Sequence, residues 1–179
     1  MENFDIKNIK AIIGLGNPGQ QYYKHRHTVG FQFLNFLAES LYASEWQDGQ
    51  QMKRTTIKLN DQDILLIQPQ TFMNSSGAVL PWLTKKGIKP EQILVVHDEL
   101  EKPFGNVLIR FEGSHKGHNG LKSIMNIIGP SFWRLKFGIG RPENKDDVPD
   151  YVLTNFTPQE QQKLPELFGQ ALALLLKNS

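Results

Sequence analysis

Imidazole, amide and carboxylate side chains crowd four short polar islands of this chain. These are Gly14-Leu15-Gly16-Asn17-Pro18-Gly19 running on to His25-Arg26-His27, then Thr71-Phe72-Met73-Asn74, His97-Asp98-Glu99-Leu100, and Gly113-Ser114-His115-Lys116-Gly117-His118-Asn119-Gly120. An imidazole that titrates near neutrality can take a proton from water attacking an ester or amide. A buried carboxylate on its other ring nitrogen fixes the tautomer and stabilises the imidazolium. His27 and Asp98 are the natural pair for those roles. The chain has no cysteine and no Gly-x-Ser-x-Gly elbow, so no protein nucleophile is indicated and the base would act on water directly. The same pattern admits a structural reading, in which His27 caps a helix and Asp98 ends a strand. Asn17, Asn74 and Asn119 each offer a donor and an acceptor, suited to a peptide main chain or a developing oxyanion, although asparagine is also common in turns.

Two further chemistries have to be weighed. His25-x-His27, His97-Asp98 and His115-x-x-His118 supply enough nitrogens for zinc or manganese, but none has the i, i+4 spacing of a His-Glu-x-x-His helix and acidic ligands are scarce. Gly14-x-Gly16-x-x-Gly19 matches the dinucleotide fingerprint letter for letter. That fingerprint requires a helix to begin within the glycines, whereas here Pro18 and the polar run from Gln20 to His27 intervene. The glycines are better read as allowing a tight turn that presents Asn17. No cofactor is expected.

Each island touches an apolar run that must hold it in place: Ala11-Ile12-Ile13, Ile64-Leu65-Leu66-Ile67, Ile93-Leu94-Val95-Val96 and Val107-Leu108-Ile109. The patterning predicts strands at 9–15, 51–59, 63–68, 92–97, 106–111 and 133–139, with Asn60-Asp61 as a turn. It predicts helices from Thr28 to about Tyr42, from Ser76 to Lys86 with Pro81 kinking it or resetting its start, from near His118 to Gly129, and from about Pro158 to Lys177. Residues 141–150 read as a polar loop, and Tyr23 as a core residue. Strand–helix alternation with both hairpin and crossover connections points to a single α/β three-layer domain over residues 1–179, a mixed twisted sheet with helices on both faces. Polar loops at strand ends are where such sheets build sites.

At 179 residues the chain can bury a core of its own. The lack of cysteine fits a reducing compartment, Met1-Glu2-Asn3-Phe4-Asp5 carries no secretory pattern, and no apolar run approaches a membrane span, so a cytoplasmic protein is expected. Net charge is only +2, yet residues 102–145 hold eight basic against two acidic side chains, a net +6 that leaves −4 elsewhere. Such an excess beside a polar site suits a polyanion such as nucleic acid, with Lys116, Lys122, Arg110 and Lys136 around the Gly113–Gly120 loop and Tyr22, Tyr23 and Phe72 able to stack on bases or a ribose, core packing being the better reading for Tyr23. It also fits a plain solvated face.

Together, Gly-Leu-Gly-Asn-Pro-Gly, Tyr22 to His27, Thr-Phe-Met-Asn-x-Ser-Gly, His-Asp-Glu-Leu, Gly-His-Asn-Gly-Leu-Lys, Arg134 to Pro142 and Asp150-Tyr-Val-Leu resemble the bacterial peptidyl-tRNA hydrolases, over roughly residues 9 to 155. The resemblance implies a monomeric, metal-independent esterase that frees tRNA from peptides dropped off stalled ribosomes. It implies His27 as general base, Asp98 as its partner, and Asn17 as the residue that rejects aminoacyl-tRNA with an unblocked amino group. By the same resemblance, Tyr22, Phe72, Asn74 and Asn119 contact the peptide or the tRNA end, and Met73 and His118 line the groove. Arg110 and Lys136 stand at customarily basic positions. Lys116 departs from the small residue often found there and is expected to alter groove gating or add a phosphate contact. RNA-binding relatives such as the plant organelle splicing factors would keep the basic face without the catalytic set, and the presence of His27, Asp98 and all three asparagines favours the enzyme.

Overall fold

Apolar runs with no polar alternation become the inner strands of a sheet, because both of their faces must be covered. The computed structural model describes residues 3–177; the first two residues of the N-terminal pentapeptide lie outside the described residues. In chain order it comprises β1 (Ala11–Gly14), α1 (Val29–Ser40), β2 (Gln47–Gly49), β3 (Met52–Leu59), β4 (Gln62–Pro69), α2 (Leu80–Lys85), β5 (Ile93–Glu99), β6 (Val107–Phe111), α3 (Asn119–Ile128), β7 (Trp133–Gly138), α4 (Val148–Val152) and α5 (Pro158–Leu176). One seven-stranded sheet runs β2-β3-β4-β1-β5-β7-β6. Its middle block β4-β1-β5-β7 is parallel, with Ile12 opposite Leu66 and Leu94, and Asp98 opposite Phe137. Antiparallel pairing extends it on both sides, through the β2-β3-β4 hairpins on one and through β6 against β7 on the other, with α3 between those two strands in the chain. The sheet is mixed, as expected.

The period of two in the strands divides the core. Ile12, Leu66, Leu94, Val96 and Phe137 meet α1 and α5 through Phe33, Leu37, Leu164 and Phe168. Ala11, Ile13, Ile67, Ile93 and Val95 meet α2 and α3 through Leu80, Leu83, Leu121 and Ile124. Phe31, Leu34, Leu37, Ala38 and Leu41 have the helical spacing of a core stripe along α1, and Phe33, outside that stripe, is fully buried as well because α1 is covered on a second side, its ring centre 5.7 Å from that of Phe168. Two elements go beyond the expected ones. β2 is a Gln-Asp-Gly edge segment held by the hairpin to β3, and α4 is a five-residue helix that begins inside the 141–150 stretch read as a polar loop and runs two residues past it, with Pro149 in its first turn. Residues 73–79 form tight 3-10 turns, and Pro81 opens α2 instead of kinking it.

The glycines of the first island act mainly by permitting close approach. Of Gly14, Gly16 and Gly19, only Gly19 has a positive φ, +115°. A Cβ on Gly14 would lie 2.5 Å from the Gly30 carbonyl oxygen, and one on Gly30 would lie 2.3 Å from the Leu15 nitrogen. The start of α1 therefore rests directly on the end of β1. Gly30→Ala is expected to lower the denaturant midpoint by the equivalent of about 1–3 kcal/mol, since rigid backbone surrounds the added methyl. Gly169→Ala, in α5 with nothing within 4 Å of the new atom, should raise stability by up to about 1 kcal/mol.

Candidate active site

β5 ends in His97, Asp98 and Glu99, all buried. Asp98 shares the parity of Leu94 and Val96 and so lies toward α1, while His97 lies toward α3. The turn Arg26–Thr28 leads into α1 and carries His27, whose Nδ1 sits 3.0 and 2.9 Å from the two Asp98 oxygens. His118 is the N-cap of α3: its Nδ1 accepts from the Gly120 and Leu121 amides, and its Nε2 lies 2.9 Å from Asp98 Oδ1. This arrangement fixes the tautomers. A capping Nδ1 must be unprotonated, so His118 donates to Asp98 from Nε2–H. His27 donates from Nδ1–H, which leaves His27 Nε2 as a free base without a partner among the described residues. His97 donates from Nδ1 to the Asp98 carbonyl at 2.7 Å, and its buried Nε2 has no partner among the described residues.

The electrostatics follow the same geometry. Burial alone would push the His27 pKa down, but the Asp98 charge and hydrogen bond outweigh it and raise the pKa above 6.5. Burial would likewise raise Asp98, yet the two imidazoles hold it well below the ordinary carboxylate range. Burial and the neighbouring His118 lower His97 to about 3, so it remains neutral. Three imidazoles gather at Asp98, and His27 joins a raised pKa to a nitrogen left without a partner among the described residues. His27, Asp98 and His118 also form a group of metal-type side chains with ligand atoms within 4.8 Å of one another. It is not any of the pairs suggested by sequence spacing, since His25 and His115 stand apart from it.

Arg26, unassigned from the sequence, holds the His27 turn in place. It binds Thr154 Oγ1 at 2.6 Å, the Asn155 carbonyl and Glu160 at 2.7 Å, and its guanidinium lies 4.7 Å from the Tyr151 ring centre. An arginine between two histidines was the available signal. Asn17 is buried; its Oδ1 accepts from the Met73 amide at 2.8 Å and its own amide reaches Thr28 Oγ1, joining the first two islands. Met73 is buried against Gly120 of the fourth island.

A cleft of about 340 Å³ opens over His27, His97, Asp98, His118, Asn119, Lys116 and Lys136. Asn17 lines a neighbouring cleft instead. Asn74 is exposed in the turn after β4, beside Met73. Tyr22 and Phe72 meet edge to face at 6.3 Å, and Phe72 is 62 % exposed. Tyr23 is 47 % exposed, so the expectation of a core residue fails there: it follows the short turn Gln20–Tyr22, which carries its ring outward. Lys136 pairs with Glu99 at 3.3 Å, and Arg141, at the cleft rim, pairs with Glu101. Arg110 is exposed on β6 opposite Arg134, away from the cleft lining. Arg134 cannot meet a phosphate as the other basic residues of 102–145 can. It is fully buried and donates to the Ser114 and Gly113 carbonyls, holding the loop that delivers His118.

A buried carboxylate bridges two imidazoles at the carboxyl ends of the parallel strands, and one imidazole is left free toward an open cleft, an arrangement able to take a proton from water. Comparison with known proteins narrows that chemistry. The family model for peptidyl-tRNA hydrolase matches residues 11–178. A peptidyl-tRNA hydrolase of Sulfurihydrogenibium sp. is 46 % identical over 170 residues, covering 94 % of this chain and 89 % of the relative. That of Aquifex aeolicus is 38 % identical over 172 residues, covering 95 % and 90 %. The crystal structure of peptidyl-tRNA hydrolase from Acinetobacter baumannii superposes with a TM-score of 0.86 at 34 % identity, covering 98 % of this chain and 92 % of that one. The chain belongs to the peptidyl-tRNA hydrolase family.

A base must be unprotonated to work, and His27 holds its proton to a pH above 6.5. The kcat/KM profile is therefore expected to rise with pH along an acid limb whose midpoint lies above 6.5. Asp98→Asn removes the charge that raises the pKa and leaves the burial that lowers it. The limb of that variant should move down in pH while its plateau falls; an unmoved limb would assign it to another group.

Proposed function

We propose that this chain hydrolyses the ester between peptide and tRNA with His27 as general base and Asp98 as its anchor. The observation that carries this reading is the single carboxylate that accepts from both His27 and His118, since it leaves one basic nitrogen, His27 Nε2, at the cleft. His27 Nε2 takes a proton from water as the oxygen attacks the carbonyl carbon. The tetrahedral intermediate then expels the tRNA 3′ oxygen, which receives that proton from the imidazolium. The products are the peptide carboxylic acid and the free tRNA 3′ hydroxyl. Asn119, at the cleft, and Asn74 offer amide donors to the oxyanion or to the peptide main chain, and Asn17 Nδ2, with its Oδ1 already engaged, offers a donor that distinguishes a blocked from a free amino group. Tyr22 and Phe72 give an exposed aromatic edge for the terminal nucleotide, and Lys116 and Lys136 give cations for phosphate. No described helix is long and apolar enough to cross a membrane, and we infer a cytoplasmic, monomeric enzyme acting without metal or other cofactor.

His27→Ala should lower turnover of an N-blocked aminoacyl-tRNA by about 10²–10⁴-fold with substrate affinity largely retained. Wild-type turnover should persist in EDTA; loss in EDTA with recovery on adding a divalent ion would make His27, Asp98 and His118 metal ligands instead.

Arg110→Ala and Lys136→Ala should each weaken tRNA binding about equally across different tRNAs. Each should also flatten the dependence of log affinity on log salt by up to about one unit for every phosphate that is no longer neutralised. Unchanged affinity and slope in both variants would reduce the basic segment to a solvated face.

A further inference from the structure

Arg26 lies buried one residue ahead of His27, and its side-chain hydrogen bonds reach a segment 128 to 134 residues further along the chain. Thr154, Asn155 and Glu160 accept from the guanidinium, and the Tyr151 and Phe156 ring centres lie 4.7 and 5.6 Å from its central carbon. The backbone repeats the contact: the Arg26 amide donates to the Thr154 carbonyl at 2.9 Å and the Phe156 amide to the Lys24 carbonyl at 3.1 Å. Among these groups only Glu160 carries a negative charge. It lines neither of the two clefts.

One oxygen of Glu160 has two donors. Oε1 accepts from Arg26 Nη2 at 2.7 Å and from the Thr157 amide at 2.9 Å. The Glu160 amide in turn donates to Thr157 Oγ1 at 3.2 Å, which completes the capping box that opens α5. A capping box needs an acceptor but no charge, since glutamine serves there as well. The guanidinium does need one: with the Arg26 and Glu160 side chains only 8 % and 18 % exposed, an unmatched cation would be costly. The negative charge of Glu160 therefore serves Arg26, and α5 needs only its oxygen. Further along, α5 is fixed on α1, the Phe168 ring centre 5.7 Å from that of Phe33. The start of α5 is thus pinned to the turn that leads into α1.

We propose that Glu160 is a positioning residue for the ester hydrolysis: through Arg26 it holds the His27 turn so that Nε2 meets the attacking water. This rests on the reading of His27 as the base. A reacting atom displaced by about 1 Å can lose on the order of 10²-fold in rate, so a slack turn costs turnover without any loss of binding. Charge enters as well. The titratable groups around His27 are Asp98 of β5, His118 of α3 and His25 of its own turn, and α4, packed on that turn, adds Asp150 and Tyr151. With Glu160 neutralised, the Arg26 cation is left unmatched beside the base and opposes a second positive charge there.

The test compares Glu160→Ala, Glu160→Gln and Thr157→Ala on an N-blocked aminoacyl-tRNA, each below its own denaturation transition. Glu160→Ala should lower kcat by roughly 10-fold with KM held within about 2-fold. Glu160→Gln keeps the capping acceptor and loses only the charge, so its kcat should fall less. In both, the acid limb of the kcat/KM profile should move down in pH. Thr157→Ala weakens the α5 cap alone and should lower the denaturant midpoint with kcat and the limb unchanged. In an Arg26→Ala background, Glu160→Ala should cost no further kcat. An equal kcat loss in Thr157→Ala would make Glu160 a helix cap only and overturn the proposal. Retained kcat with an unmoved limb in both Glu160 variants, or losses that add in the double variant, would overturn it as well. Normal turnover by His27→Ala would instead overturn the base on which the positioning role rests.

Discussion

One carboxylate ties the two halves of this molecule together. Asp98 sits where the sheet ends and accepts from an imidazole on each side: His27, entering from the α1 layer, and His118, from the α3 layer. A buried charge of this kind is tolerable only because it is matched on both sides. Removing either imidazole would leave it partly unpaired, and replacing it would release both layers at the point where they converge. The geometry of the candidate site and the registration of the layers are thus one constraint.

The rest of the fold serves to bring those imidazoles to that carboxylate. The glycine contact between β1 and α1 sets how closely the His27 turn approaches β5, and Arg26 ties the same turn to the segment ahead of α5. On the other side, Arg134 is given up to two loop carbonyls so that the Gly113–Gly120 loop returns to place His118. Each is a polar or packing device outside the lining of the cleft over His27.

Much of this was legible in the residues. Unalternating apolar runs marked the inner strands, the change of period marked α1 and α3, and histidines beside a strand-ending aspartate marked the site. What stayed hidden was contact between distant segments. Nothing local distinguishes Arg134, buried, from Arg110, exposed, in the same basic stretch. Phe33 is buried by α5, far along the chain, and β2 exists only because β3 pairs with it. Gly14 and Gly16 match a nucleotide fingerprint by letter, but their surroundings assign them to packing. The second carboxylate partner, His118, also required a tertiary contact to be recognised, because its spacing from Asp98 carries no periodicity.

His118 also decides where a proton can rest. Its Nδ1 lone pair is occupied by the first amides of α3, so taking up a proton would unfasten the start of that helix. His97, held neutral by burial down to about pH 3, is closed to protons for a different reason. Of the three rings, His27 is the one that keeps a nitrogen, unpartnered among the described residues, that burial does not close to protons. On the proposed reading of His27 as the base, the site is a one-place relay, in which the proton that arrives with the attacking water is the one returned to the departing oxygen.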